Sequence, residues 1–234
     1  MCGRYVLTTP VEALRDAFGF VEQPNLAPRY NIAPTQDVPV LRQRRQPEGE
    51  RTLQMLRWGL VPPRARSLAD GARMINARAE TVAAKPAFAI PFRRRRCLVP
   101  ASGFYEWRPD DSSKQPYLIA QADGALFAFA GIWERWNRPA DATGADEKPY
   151  VDSFAIITTE ANERLKPLHH RMPVILAPAD YPLWLDPMAE PDRLAGLLRP
   201  AANDLLDYRP IDRRANNVRN DDAALLRQLE ALSA

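Results

Sequence analysis

Cys2 stands directly after Met1 in the opening MCGRY. Aminopeptidase trimming removes Met before small residues, which would leave Cys2 as a terminal residue with two nucleophiles. An α-amine has a reference pKa near about 7.8 and a thiol near about 8.5, so a useful share of that amine is uncharged at neutral pH. Such an amine condenses with an aldehyde to a Schiff base, and the adjacent thiol can close the imine to a five-membered thiazolidine. No internal cysteine can do this; the plain alternative is an incidental cysteine at a frayed terminus. Glu106 lies between Tyr105 and Trp107 in an apolar run. If the aromatics share one face of a strand, the carboxylate projects from the other, and apolar surroundings would raise its pKa into the range of a general acid or base. The bland reading is a solvated glutamate on an amphipathic strand. His169 and His170 are the only histidines.

These residues need a scaffold. The chain has 234 residues, 46% of them hydrophobic and 26% charged, which excludes disorder, a collagen-like fibre and a coiled coil and suffices for one sizeable core. No apolar run reaches the roughly 20 residues of a membrane span, and the N-terminus lacks a signal-peptide pattern, so a cytoplasmic protein is expected. Cys2 and Cys97 are the only cysteines. They and the histidine pair show no CxxC or HxxxH spacing, and no glycine-rich phosphate loop occurs; neither a metal nor another cofactor is expected. The net charge is only +3, yet all but four of the 32 basic residues are arginine, and Arg57, Arg64, Arg66, Arg73, Arg78 and Arg93 to Arg96 crowd the middle of the chain. That composition suits a local phosphate-binding surface, as well as a GC-rich genome. The run Arg93 to Arg96 precedes a strand pattern, would alternate faces, and is not assigned to the site.

TPVEALRDAFG predicts a short first helix, with Thr9 as N-cap, Pro10 and Glu12 in the first turn and Gly19 at the end. PRYNIAPTQDVPVL and TLQMLRWGLVP read as strands and turns. CLVP, FYEWR, YLIAQ, LFAFAGIW, FAIITT and MPVIL read as short strands, and NRPADATGADEKP as a polar loop. TEANERLK is expected to be a helix capped by Thr158 or Thr159. APADYPLWL, DRLAGLLR and DDAALLRQLEAL are expected to be helical, with Leu225, Leu229 and Leu232 on one face. The sum is an α+β protein: one domain over residues 1–234, with a mainly antiparallel sheet or barrel-like core flanked by short helices. A monomer is expected.

MCGRY, YNIAPTQ, WGL, INARAET, CLVPASGFYEW and HHRMPVIL, in that order and continuing to RPIDRRANNVRND, resemble the SRAP family, named for SOS response-associated peptidases and including abasic-site shield proteins. The resemblance implies a protein that forms a thiazolidine crosslink through Cys2 to abasic sites in single-stranded DNA, with a weak AP-lyase activity and association with the nucleoid when bound. It places Asn76 by hydrogen bond near the reacting sugar, Glu106 at the terminal amine as proton shuttle and His169 at the ring oxygen. His170 falls at a variable position. It gives Arg4, Arg78 and Arg171 phosphate contacts, and Pro34 and Thr158 smaller contacts along the strand. The family carries tryptophan just past the proline after WGL; this chain has Arg64 and Ala65 there, so Arg64 is expected to offer a planar guanidinium to a base. A cysteine peptidase using Cys2 and His169, and a non-covalent single-strand-binding module, are the alternative readings.

Overall fold

In a computed structural model, described here for residues 2–44, 49–109, 114–139 and 148–227, the apolar runs form two curved sheets. The strands are β1 (Tyr5–Leu7), β2 (Arg29–Ile32), β3 (Asp37–Gln43), β4 (Arg51–Trp58), β5 (Asn76–Arg78), β6 (Arg96–Ala101), β7 (Gly103–Pro109), β8 (Lys114–Gln121), β9 (Phe127–Asn137), β10 (Tyr150–Glu160), β11 (Arg171–Pro173), β12 (Ile175–Leu176) and β13 (Leu206–Pro210). One sheet runs β13-β8-β7-β1-β2. In the other, β10, β4, β3, β6 and β9 pair in a closed ring, a barrel to which β5, β11 and β12 attach. Pairing is antiparallel except where β10 meets β4 and β5. This is the expected α+β architecture with a mainly antiparallel, barrel-like core.

The open sheet separates two apolar layers. Tyr5, Ile32, Phe104, Tyr117 and Ile119 face the barrel and join Trp58, Phe129 and Phe154 in the main core. The alternate residues Val6, Tyr105 and Leu118 pack outward against Ile211, Ala215 and Leu225 of the C-terminal segment. Period-two alternation thus gives β7 a buried layer on each side, which is why Glu106, on the Phe104 side, ends 4% exposed.

The helices are short: α1 (Val11–Phe18), α2 (Pro86–Arg94), α3 (Tyr181–Leu185) and α4 (Pro191–Ala195). At α1, Gly19 closes the helix at φ 65° as expected, but no side chain caps the start; the Thr9 hydroxyl instead meets the Ser102 hydroxyl at 3.0 Å. Helix α2 was not anticipated: Pro86 opens it, and Arg93 and Arg94 form its last turn instead of alternating faces, before β6 begins at Arg96 as expected. The expected helix at TEANERLK is absent. β10 continues through Glu160 because Thr158, Thr159 and Glu160 pair with β11, and residues 163–168 form turns. There the Asn162 side chain accepts from the Leu165 N–H and donates to the carbonyls of Ala201 and Ala202. The C-terminal third contains a strand, β13, paired along β8, and Ala223–Leu226 is a single 3₁₀ turn with Leu225 buried; Leu229 and Leu232 lie outside the described residues. Among the described residues no helix is long and apolar enough to cross a membrane.

Two sequence motifs act as positioning devices. In WGL, the buried Trp58 indole donates to the Ile75 carbonyl at 3.0 Å, and Gly59, at φ 121°, lets the 59–75 crossover fold back: a Cβ there would sit 2.7 Å from the Gly71 carbonyl oxygen. The result is β5, delivered alongside β10 with Asn76 opposite Ile156. In YNIAP, the buried Asn31 amide donates to the carbonyls of Ala215, Asn217 and Asn220, while Asp221 accepts from the N–H groups of Tyr30 and Asn31 and pairs with Arg29. This latch ties RPIDRRANNVRND across the outer face of the open sheet.

Candidate functional site

A cavity of about 610 Å³ opens where β1, β7 and the 161–170 turns converge, lined by Arg4, Glu106, Trp107, Lys114, His169 and Asn216. Cys2 lies fully buried just ahead of β1. Asn76 donates its amide to the Cys2 carbonyl at 2.8 Å, so β5 fixes the main chain of the residue that carries the nucleophile. The Asn76 side-chain oxygen is buried and meets no hydrogen-bond partner among the described residues; it is an acceptor held ready beside Cys2.

The ionisable groups here are pushed toward their neutral forms. Burial, reinforced by the Glu106 carboxylate, raises the Cys2 thiol above its ordinary value. Burial also raises the Glu106 carboxyl. His169 is lowered to about 4 by burial, with the stacked ring of His170, 4.3 Å away, adding to the effect. The Arg171 main-chain N–H donates to His169 Nδ1 at 2.9 Å. That bond, shorter than the 3.3 Å contact of the same nitrogen with the Arg171 carbonyl, uses the Nδ1 lone pair and assigns the proton of the neutral ring to Nε2. His169 is therefore a hydrogen-bond donor at rest, and Glu106 a carboxyl whose affinity for a proton is increased.

Of the residues singled out in the sequence, Arg4, Glu106 and His169 share the cavity wall, and Cys2 and Asn76 are joined by their hydrogen bond. Arg4 donates to Asn31 Oδ1 at 2.9 Å and to the Ala215 carbonyl at 3.2 Å, with its guanidinium 5.7 Å from the Trp107 ring centre. Arg78 is exposed at the end of β5. Arg171 is only 11% exposed and makes a two-bond pair with Glu80, at 2.6 and 3.0 Å, while donating to the Thr158 carbonyl at 2.6 Å. The Thr158 side chain lies wholly buried beneath it. Pro34 is half-buried in the turn between β2 and β3, away from the cavity wall, next to Thr35, whose φ of 71° is left-handed. Arg64 is exposed and lines a separate concavity with Pro62, Arg73 and Met74.

Sequence reading missed Trp107, Lys114, Asn216 and Glu80. Trp107 lies on the face of β7 opposite Glu106, yet its indole reaches the rim because it donates to Asn216 Oδ1 at 2.7 Å. The signal was present in its place beside Glu106, but alternation argued against a shared cavity. Lys114 and Asn216 depend on the C-terminal latch, which no local pattern reveals. Among the described residues no three His, Cys, Asp or Glu side chains cluster as a metal site would.

The fold and cavity define a class: a small barrel with an outer sheet and, near the chain start, a buried cysteine acted on by a carboxyl that shares its cavity with an imidazole. The sequence matches the family described as SOS response associated peptidase (SRAP) over residues 1–218, and the chain belongs to that family. It is 40% identical to the abasic site processing protein YoaM of Bacillus subtilis, over 97% of both chains. It is 32% identical to the abasic site processing protein HMCES of Gallus gallus, over 98% of this chain and 78% of that one. A protein from Bacteroides thetaiotaomicron solved by X-ray crystallography superposes with a TM-score of 0.84 at 26% identity, over 98% of this chain and all of the other.

Proposed function

We propose that this protein processes abasic sites in single-stranded DNA by covalent capture through Cys2 after removal of Met1. The observation that carries the reading is a buried Cys2, held at its carbonyl by Asn76, whose thiol feels the Glu106 carboxylate, which in turn shares a cavity with His169. His169 donates a hydrogen bond to the sugar ring oxygen; as the bond from that oxygen to C1 breaks, the proton of the C1 hydroxyl passes through water to the ring oxygen and the aldehyde forms. The Cys2 α-amine adds to the aldehyde carbon, Glu106 carries a proton from nitrogen to the departing oxygen, and water leaves as the imine forms. The thiol then adds to the imine carbon; its proton passes to the nitrogen, and the thiazolidine closes. A raised thiol pKa suits this order, because the amine attacks first and the thiol stays protonated until the imine is at hand. Where closure fails, the imine acidifies the neighbouring sugar proton and β-elimination gives weak AP-lyase activity. Arg4, Arg78 and Arg171 would hold flanking phosphates, with Pro34 and Thr158 along the strand path.

A cysteine peptidase built on Cys2 and His169 would need a thiolate. The burial that raises Cys2 and lowers His169 opposes a thiolate–imidazolium pair. Intact mass spectrometry of the untagged protein with a single-stranded oligonucleotide carrying one abasic site tests the proposal. The expected product is protein without Met1 plus oligonucleotide minus one water, stable to heating. Cys2→Ser keeps the amine but should give only a heat-labile imine. A heat-stable adduct in that variant, or none in the native protein, overturns the mechanism.

A further inference from the structure

A second concavity, of about 930 Å³, is built on the barrel and shares no wall residue with the abasic-site cavity. Six arginines line it, Arg42, Arg44 and Arg93 to Arg96, against one acid, Glu190, with Trp133 in its wall. The sequence run RRRR supplies four of these because α2 ends there, gathering side chains that an extended strand would have split between two faces.

Their partners separate these arginines into two groups. Arg44 pairs with Glu22 and Glu50, Arg95 with Glu134, and Arg42 with Asp152 at 3.1 Å. Arg96 is buried and donates to the main-chain carbonyls of Phe92, Arg93, Trp184 and Asp186, which binds the end of α2 to α3 without cancelling its charge. Arg93 and Arg94 are exposed and make no ion pair among the described residues. Charge therefore remains uncompensated along one side of the groove. Favourable interaction with the end of the α2 dipole accounts for a cation there, but not for a second observation deeper in. The Arg42 side chain is 8% exposed, lies 3.9 Å from the centre of the Trp133 ring, and its Nη1 meets no hydrogen-bond partner among the described residues. A buried guanidinium with an unmet donor beside a half-exposed indole is what a phosphate chain with stacking bases would complete.

We infer that this groove binds the phosphodiester backbone of single-stranded nucleic acid outside the abasic-site cavity. Arg93 and Arg94 provide the outer phosphate contacts, and Trp133, backed by Arg42, offers the aromatic surface. The inference rests on the reading of the protein as a single-strand binder and extends it to a second contact, so that a long strand is held at two places.

The test compares the native protein with Arg93→Gln/Arg94→Gln, both positions being exposed and outside the cores. Binding of a long unmodified single strand is measured against salt. Each phosphate contact on a single strand contributes about 0.7 to the slope of log affinity against log salt, so the double variant should lose about 1.4. Adduct formation with a short abasic oligonucleotide that fills only the Cys2 cavity should proceed in both proteins. An unchanged slope overturns the groove and points instead to an acidic protein surface as its partner. Failure of the short-strand adduct in the native protein overturns the covalent mechanism and leaves the slope free to judge the groove.

Discussion

The Cys2 cavity and the arginine groove both remove ionisable side chains from water, with opposite results. In the cavity, burial prevails: the Glu106 carboxyl is raised, the Cys2 thiol is raised and His169 falls to about 4. In the groove, burial also pulls on Asp152, but Arg135 and Arg42 more than offset it and hold the carboxylate below its usual value. Arg96, lowered to about 10 by burial, still keeps its charge at neutral pH. Desolvation by itself holds groups in their neutral forms; desolvation with an opposing charge produces fixed ions. The first arrangement suits condensation chemistry and the second suits holding a polyanion.

The sharpest way to break this contrast is Glu106→Gln. Loss of a proton shuttle should slow adduct formation by about 10² to 10⁴-fold, read from crosslinking time courses. Stability should move the other way. A carboxyl whose folded pKa exceeds its unfolded one binds protons more tightly in the folded chain, so stability falls as pH rises from the unfolded value through the folded one. The glutamine variant lacks that loss and should melt at a higher temperature at neutral pH. A lower melting temperature with unchanged rate would show that Glu106 is a structural ion. His169 has the opposite sign: its folded pKa of about 4 lies below the ordinary 6.5, so its stability contribution is present above 6.5 and lost as pH falls toward 4. His169→Asn should flatten that part of the stability profile.

On the groove side, Arg42→Met should cost stability without touching the chemistry. Breaking a deeply buried pair costs about 3 to 5 kcal/mol; Asp152 keeps Arg135 at 2.7 Å, so about 2 kcal/mol is expected from urea unfolding. Adduct formation with a short abasic oligonucleotide should match the native rate. A large fall in that rate would mean that the two regions are mechanically coupled through the barrel.

The strands were legible because alternation and turn residues are local, and the same held for α1 and its closing Gly19. Local patterns failed where distant partners decide. The helix expected at TEANERLK yields to β11, which extends β10, and to Asn162, whose amide is taken up by carbonyls some forty positions away. Helix α2 was hidden by two prolines, Pro86 and Pro91, of which the first serves as a helix start. In the site, Cys2, Asn76, Glu106 and His169 were visible as residue types in ordered motifs. The histidine tautomer, the Trp107 to Asn216 bond and the Glu80 to Arg171 pair were not, because each arises from elements brought together only by the fold.

That last pair gives the smallest expected effect, and it bears on how the cavity meets DNA. Arg171 supplies the N–H that sets the His169 tautomer, and its guanidinium is held by the half-exposed Glu80 carboxylate. If Arg171 holds a phosphate as proposed, Glu80 competes for the same guanidinium, and DNA contact requires exchange of one anion for another. Glu80→Gln keeps a hydrogen-bond acceptor but removes the competing charge. Single-strand affinity should rise about two- to five-fold, the range allowed by a pair worth up to about 1 kcal/mol, and the salt slope should steepen. The pH profile of adduct formation should not change, because the Arg171 main chain still donates to His169. A fall in affinity together with a shifted pH profile would show that Glu80 is needed to hold Arg171, and through it the imidazole, in place.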